Sequence, residues 1–189
     1  MHKIPNPSKE ECSKYLKKEL NEHYIVEGKT VEKVFKLYPK NTVIEEVLIK
    51  ASLLNDFYST NIFRTYPVAK HIVDLNIDER LKKGDISLVD DIARNKLNGK
   101  EKYFYSFATK YCAIHQPDIF PIYDSFVDKM LRYFRKQTHF AKFQNADLRD
   151  YKKYYEVYTE FIKNFALNDF KLREIDLYLW KLGKERAQK

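Results

Sequence analysis

The chain has 189 residues, of which 44% are hydrophobic and 15% aromatic, enough for a sizeable core supplied largely by 15 tyrosines and 13 phenylalanines. No run of about 18 apolar residues occurs, so neither a membrane span nor a membrane partner is expected, and the polar opening MHKIPNPSKEE does not read as a signal peptide. The net charge of +8 favours polyanions, nucleic acid first, and two isolated cysteines, Cys12 and Cys112, argue against a disulfide scaffold, structural zinc or an iron–sulfur cluster and for a reducing cytoplasm.

In chain order, Ser8 with Glu11 spells a capping box that opens a helix over about 9–22. HYIVEG (23–28) is the best β-like run, although no sheet is built on it, and 30–38 reads as a short helix ended by Pro39. Asn41 or Thr42 opens a long helix with Ile44, Val47, Leu48, Ala51 and Leu54 at helical spacing. After a polar break at 59–61, Pro67 stands near the start of a helix carrying Val68, Ile72 and Leu75. Short helices are expected near 77–83 and 88–97, with Ser87 and Asp90 as a second capping box. Helices near 102–114, 125–136, 150–166 and 171–182 complete the chain, with Gly183 placed to end the last. The expected fold is all-α, a single irregular domain over 1–189 rather than a four-helix bundle, with 41–136 as a central lobe and the terminal helices as a second.

Residues 106–128, SFATKYCAIHQPDIFPIYDSFVD, carry the sharpest local feature: a helix, a loop crossing Pro117 and Pro121, and Asp124 at the start of a second helix. In that second helix Val127, Met130, Leu131 and Phe134 form the buried stripe. Lys129, Arg132 and Lys136 fall on another face, as phosphate contacts or simply as a solvated surface. Asp124 has two readings. It, or Ser125 in a box with Asp128, caps the helix, or it is a carboxylate that the helix N-terminus keeps anionic, suited to electrostatic stabilisation. HExxH, GxSxG, Walker and GxGxxG motifs are absent, and His2, His23, His71, His115 and His139 have no metal-ligand spacing. No metal and no cofactor are expected, and His115 reads as polar loop filler.

Three segments, in order, carry a resemblance: VLIKASLLNDFYSTNIFRTYPVAKHI (47–72), SFATKYCAIHQPDIFPIYDSFVDKML (106–131) and LREIDLYLWKLGKE (172–185). They resemble the helix-hairpin-helix DNA glycosylase superfamily, the group containing endonuclease III and the 8-oxoguanine glycosylases. The middle segment is the most specific. It is similar to the family's proline-containing loop, close to P-V-D-x-x-V, ahead of a helix, and PIYDSFV carries one extra residue before the acid. The hairpin L-P-G-x-G is replaced near its position by Gly99-Lys100-Glu101-Lys102, without paired glycines.

The resemblance implies a two-lobed helical fold and hydrolysis of the N-glycosidic bond of a modified or damaged base, with double-stranded DNA as partner, acting as a monomer. It makes Asp124 the catalytic carboxylate and Asn61, or Tyr58, the residue that fills the gap left by a flipped base. Tyr103, Phe104, Tyr123 and Trp180 would line the base pocket, and Lys129, Arg132 and Lys136 would hold DNA. A lysine nucleophile, where the family uses one, lies at an interval between Lys110 and Lys102; Lys110 is expected to face solvent. With neither lysine mapping cleanly, monofunctional hydrolysis is the expectation. Two alternatives stay open: a non-catalytic DNA-binding protein on the same fold, and an interaction module that does not act on DNA.

Overall fold

The computed structural model describes residues 4–97 and 99–187. Among the described residues the protein is mostly helical, with one two-stranded antiparallel sheet. None of the described helices is long and apolar enough to cross a membrane. Contacts divide the chain into two compact units: Leu20–Phe120, and the residues up to Glu19 together with those from Pro121 onward. Residues 121–136 therefore group with the terminal helices, not with 41–120.

The unit Leu20–Phe120 begins with α2 (Glu22–Leu37), which follows α1 (Lys9–Lys17) of the other unit. The β-like run 23–28 lies wholly inside α2, a correction of the sequence reading. The reason is periodicity: Val31 and Phe35 are buried at i, i+4 while Ile25 and Val26 are exposed, so helical spacing outweighs local β propensity. α3 (Ile44–Phe57) buries Val47, Ala51 and Leu54, and α4 (Thr65–Asp74) packs on it through Val68, Ala69 and Ile72. The helix expected to open at Asn41 or Thr42 starts instead after Val43, because Asn41 is engaged elsewhere.

Two short helices follow, α5 (Asp78–Lys83) and α6 (Leu88–Ala93). Gly84 ends α5 in the left-handed region (φ 68°), a conformation that favours glycine. Ser87 precedes α6 without a side-chain cap; its own N–H and hydroxyl both donate to Asp85 Oδ1. α6 stops four residues before the expected end. The Asn95 side chain donates to Ile92 O at 2.8 Å, and the chain turns extended as β1 (Arg94–Leu97), pairing with β2 (Lys100–Tyr103) in the register Arg94↔Tyr103. Asn98-Gly99 is a strong hairpin dipeptide, and Gly99 has φ 75°. The helix expected from 102 thus begins as α7 (Tyr105–His115), the central helix of the unit, packed against α2, α3 and α6.

In the other unit, Ser8 Oγ accepts from Glu11 N, so the first cap forms as expected. α1 ends at Lys17 rather than about 22. The Lys181 ammonium donates to the carbonyls of Tyr15, Leu16 and Lys18 there, satisfying the terminal acceptors. α8 (Ser125–Thr138) buries Val127, Met130, Leu131 and Phe134, the stripe its sequence predicts. A 3-10 turn (Asn145–Arg149) leads into α9 (Tyr151–Asn164), capped by Asp150, and α10 (Leu172–Ala187) closes the unit. Gly183 does not end α10. It lies inside the helix, where a Cβ would sit 2.8 Å from Phe126 Cβ and 2.9 Å from Phe126 O. The glycine is there for close approach to α8 rather than as a stop.

Candidate functional site

The loop that delivers Asp124 is fastened from two helices. Tyr151, Tyr154 and Tyr158 recur at i, i+3, i+7 and so share one face of α9. Tyr151 donates to Pro121 O (3.0 Å), Tyr154 to Ile122 O (2.6 Å) and Tyr158 to Asp176 Oδ1 (2.7 Å). Asp176, on α10, accepts in turn from Ile122 N at 3.2 Å. The backbone of 121–122 therefore has its buried polar groups satisfied by side chains, as an irregular buried segment requires. These four supporting residues were not found from the sequence. A helix was expected over 150–166, but neither the tyrosine face nor the aim of its hydroxyls was read from it.

Asp124 is the N-cap of α8, in extended backbone (φ −138°, ψ 152°), and its Oδ1 accepts from Phe126 N at 2.8 Å. It is half-buried. The alternative box of Ser125 with Asp128 does not form. Asp128 is buried and pairs with Arg132 Nη2 at 2.5 Å, one turn further on. Tyr123 is only 3% exposed: its ring lies edge-on to Tyr154, with the Arg149 guanidinium 5.1 Å from its centroid. Burial pushes its phenol pKa up. That placement makes Tyr123 part of the core rather than an open pocket wall. Trp180 is half-buried, with the Lys184 ammonium 4.7 Å from its ring centroid and Phe126 set edge-on at 6.4 Å.

Past Asp124, the cations of α8 do converge. Lys129, Arg132 and Lys136, at i, i+3, i+7, line one cavity of about 380 Å³ together with Arg186 from α10. Gly183 allows α10 to approach α8 closely enough to form it. The Arg186 guanidinium lies 3.9 Å from the Tyr133 ring centroid, a stacked cation–π contact that orients it. Arg186 was not singled out in the sequence, since nothing local pairs it with α8.

The remaining candidates belong to the unit Leu20–Phe120. The turn after α3 places Ser59 (φ 47°) and Asn61 (φ 60°) in the left-handed region. Asn55 organises that turn: its Oδ1 accepts from Ile62 N (2.8 Å) and the Thr60 hydroxyl (2.9 Å), and its Nδ2 donates to Ile62 O. Asn61 is exposed, Tyr58 half-buried, and Phe63 beside them is 96% exposed. Lys102 is exposed on β2. Tyr103, 41% exposed, stacks on Tyr105 at 5.6 Å, while Phe104 is half-buried. Lys110 does not face solvent as expected. It is 3% exposed, its Nζ donates to Ser106 Oγ at 2.6 Å, and it stands 5.9 Å from the Tyr58 ring centroid. The serine one turn back gives the ammonium an internal partner, which lets a lysine stay inside.

A second lysine, Lys50, is fully buried. It donates to Tyr38 O (2.9 Å), Lys40 O (2.8 Å) and Asn41 Oδ1 (2.7 Å), and Asn41 Oδ1 also accepts from the Tyr111 hydroxyl (2.6 Å). Asn41 Nδ2 donates to Asp78 Oδ1 at 2.7 Å. Burial lowers the Lys50 pKa to about 8, against the opposing pull of Asp78 and Glu46. His115, the last residue of α7 and not a loop filler, stands with Nε2 3.5 Å from Lys50 Nζ and packs on Phe35 and Tyr111. Burial, and then the Lys50 charge, lower its pKa to about 3.

Residues 9–119 match the family model described as HI_0787_N, N-terminal domain. The chain belongs to the HI_0787_N family. A protein of Haemophilus influenzae (strain ATCC 51907 / DSM 11121 / KW20 / Rd), named only "Uncharacterized protein", is 51% identical over 146 residues, covering 77% of this chain and 70% of its own length. No solved structure matches the chain. The HI_0787_N match contains Lys50, Tyr58, Asn61, Lys102, Tyr103, Phe104 and Lys110. Asp124 and the cationic cavity lie beyond its last matched residue.

Proposed function

We propose that this HI_0787_N protein is DNA glycosylase-like and hydrolyses the N-glycosidic bond of a modified or damaged base in double-stranded DNA, as a monomer. The reading rests first on the sequence resemblance through 106–131. The structural observation that carries it is the placement of Asp124: a carboxylate on a braced loop, at the start of a helix whose following turns put Lys129, Arg132 and Lys136 into one cationic cavity.

The chemistry needs little else. As the bond to C1′ breaks, the base departs with the electron pair and the sugar acquires positive charge. The Asp124 carboxylate stabilises that charge and orients a water. The water oxygen bonds to C1′, and its surplus proton balances the departing base. The nucleotide must first leave the stack, at about a few kcal/mol. Asn61 or Tyr58 fills the gap, while the α8 cations hold phosphate. Lys102 and Lys110 remain the candidate nucleophiles for a covalent route. Lys110, buried with its Nζ held by Ser106 Oγ, is the better positioned of the two.

The test is release of abasic sites from duplexes that each carry one modified base. The wild-type protein should yield alkali-labile strands from at least one duplex, and Asp124→Asn none. Asn caps helices as well as Asp does, so this variant removes the charge and keeps the cap. Base release retained in Asp124→Asn would sink the assignment. Borohydride trapping of a protein–DNA adduct, lost in Lys110→Ala, would replace hydrolysis by the lysine route.

The second reading is a non-catalytic DNA-binding protein. It is favoured by the use of Asp124 Oδ1 as an ordinary helix cap. It predicts salt-dependent duplex binding and no abasic product from any modified base.

A further inference from the structure

From the cavity between α8 and α10 we infer that this protein has a binding site for a terminal or free phosphate, as found on a strand end, a nucleotide or pyrophosphate, rather than for the phosphodiester backbone alone. The inference rests on the reading of Lys129, Arg132 and Lys136 as phosphate ligands.

Three observations carry it. The first is charge. Lys129, Arg132, Lys136 and Arg186 line one cavity, and the acid beside them, Asp128, is committed to Arg132. Among the described residues neither Lys129 nor Lys136 makes an ion pair. Lys129, Arg132 and Lys136 less the Asp128 carboxylate leave two positive charges at one cavity. A backbone phosphodiester brings a single negative charge, whereas a terminal phosphate carries about two and a diphosphate more.

The second observation is shape. These cations line an open concavity of about 380 Å³, room for a compact phosphate group. That is the size of a small-ligand pocket, about 300–1,000 Å³. Third, the site is built rather than incidental. Gly183 removes the side chain that would hold the two helices apart, and Tyr133 stacks under Arg186 and fixes its guanidinium. Arg132 Nε is buried with no protein partner, a donor in reserve beside the cavity.

The probes are inorganic pyrophosphate, followed by calorimetry, and a short DNA strand with a 5′-phosphate or a 5′-hydroxyl end, followed by fluorescence anisotropy at low salt. The full chain is compared with the Lys129→Ala/Lys136→Ala double variant, whose two sites are exposed and leave the core intact. The expected result is saturable pyrophosphate binding that weakens by about tenfold or more in the double variant. If the strand with the 5′-phosphate binds about tenfold tighter than its 5′-hydroxyl twin and pyrophosphate displaces it, the source is a strand end. If the two strands bind alike while pyrophosphate still binds, the source is a free phosphate ligand. Absence of pyrophosphate binding together with equal binding of the two strands overturns the inference, as does binding that the double variant leaves unchanged. Pyrophosphate binding involves no base chemistry, so a failure of the proposed reaction at Asp124 is read separately from a failure of this site.

Discussion

Each unit contains an irregular proline segment with two carbonyls to satisfy, and the two are served by opposite chemistry. At 38–40 the acceptors Tyr38 O and Lys40 O receive a buried ammonium, Lys50. At 121–122 the acceptors Pro121 O and Ile122 O receive neutral phenols, Tyr151 and Tyr154. The geometry achieved is much the same, but the costs differ. A phenol is buried without charge and stays a donor across physiological pH. An ammonium must be stripped of water, and that burden appears as its lowered pKa. The two carbonyls of the segment feeding the candidate catalytic acid are thus held by neutral phenols, and those of the 38–41 segment by a group that titrates.

The largest expected effect breaks the phenol side of this comparison. Asp176→Ala leaves Ile122 N and the Tyr158 hydroxyl without their buried acceptor, at about 1–3 kcal/mol each, so urea denaturation should show a loss of about 2–6 kcal/mol. Amide exchange should place the loss around 121–123. Lys50→Met, on the other side, orphans the Tyr38 and Lys40 carbonyls, while Asn41 Oδ1 keeps the Tyr111 hydroxyl; it also removes a desolvated charge, and about 2–4 kcal/mol is expected.

The two sides also part with pH. Between about 8 and 10.5 the unfolded chain holds the Lys50 proton more firmly than the folded one. The wild-type protein should therefore gain stability relative to Lys50→Met as pH rises through that window. His115 stays neutral in the fold down to about pH 3, whereas the unfolded chain protonates it near 6.5. Its contribution is full above pH 6.5 and is lost as pH falls. At pH 5 about 2 kcal/mol should be gone, and a His115→Asn variant should lack that slope in denaturation midpoints. The smallest effect is Asp124→Asn, within about 0.5 kcal/mol, because the cap survives the change. A larger loss on thermal melting would mean that the carboxylate supports the fold beyond its cap.

How much of this the sequence could yield depends on the kind of signal. The α8 stripe, the Ser8 cap and the order of the later helices were legible, since each rests on spacing within one helix. α2 was obscured by a β-branched run whose exposure only tertiary packing decides. The hairpin at 94–103 was missed, because helical periodicity on either side led to helices over 88–97 and 102–114. Lys110 and Lys50 were not legible, because a lysine is read as a surface residue until its partner is known. Ser106 lies one turn away from the first, and the acceptors of the second are backbone atoms. Of the candidate site, Asp124 and the three α8 cations were singled out from the sequence, while Arg186, Asp176 and the α9 tyrosines were not. They join across helices that no local pattern relates.

Gly183 has a consequence of a mechanical kind. The gap between α8 and α10 is set by a hydrogen atom where every other amino acid has carbon. It acts as the thinnest available shim. The width of the cationic cavity can therefore be tuned without touching a charge: Gly183→Ala forces the two backbones apart by the bulk of one methyl group, and the four cations would have to reach further for the same ligand.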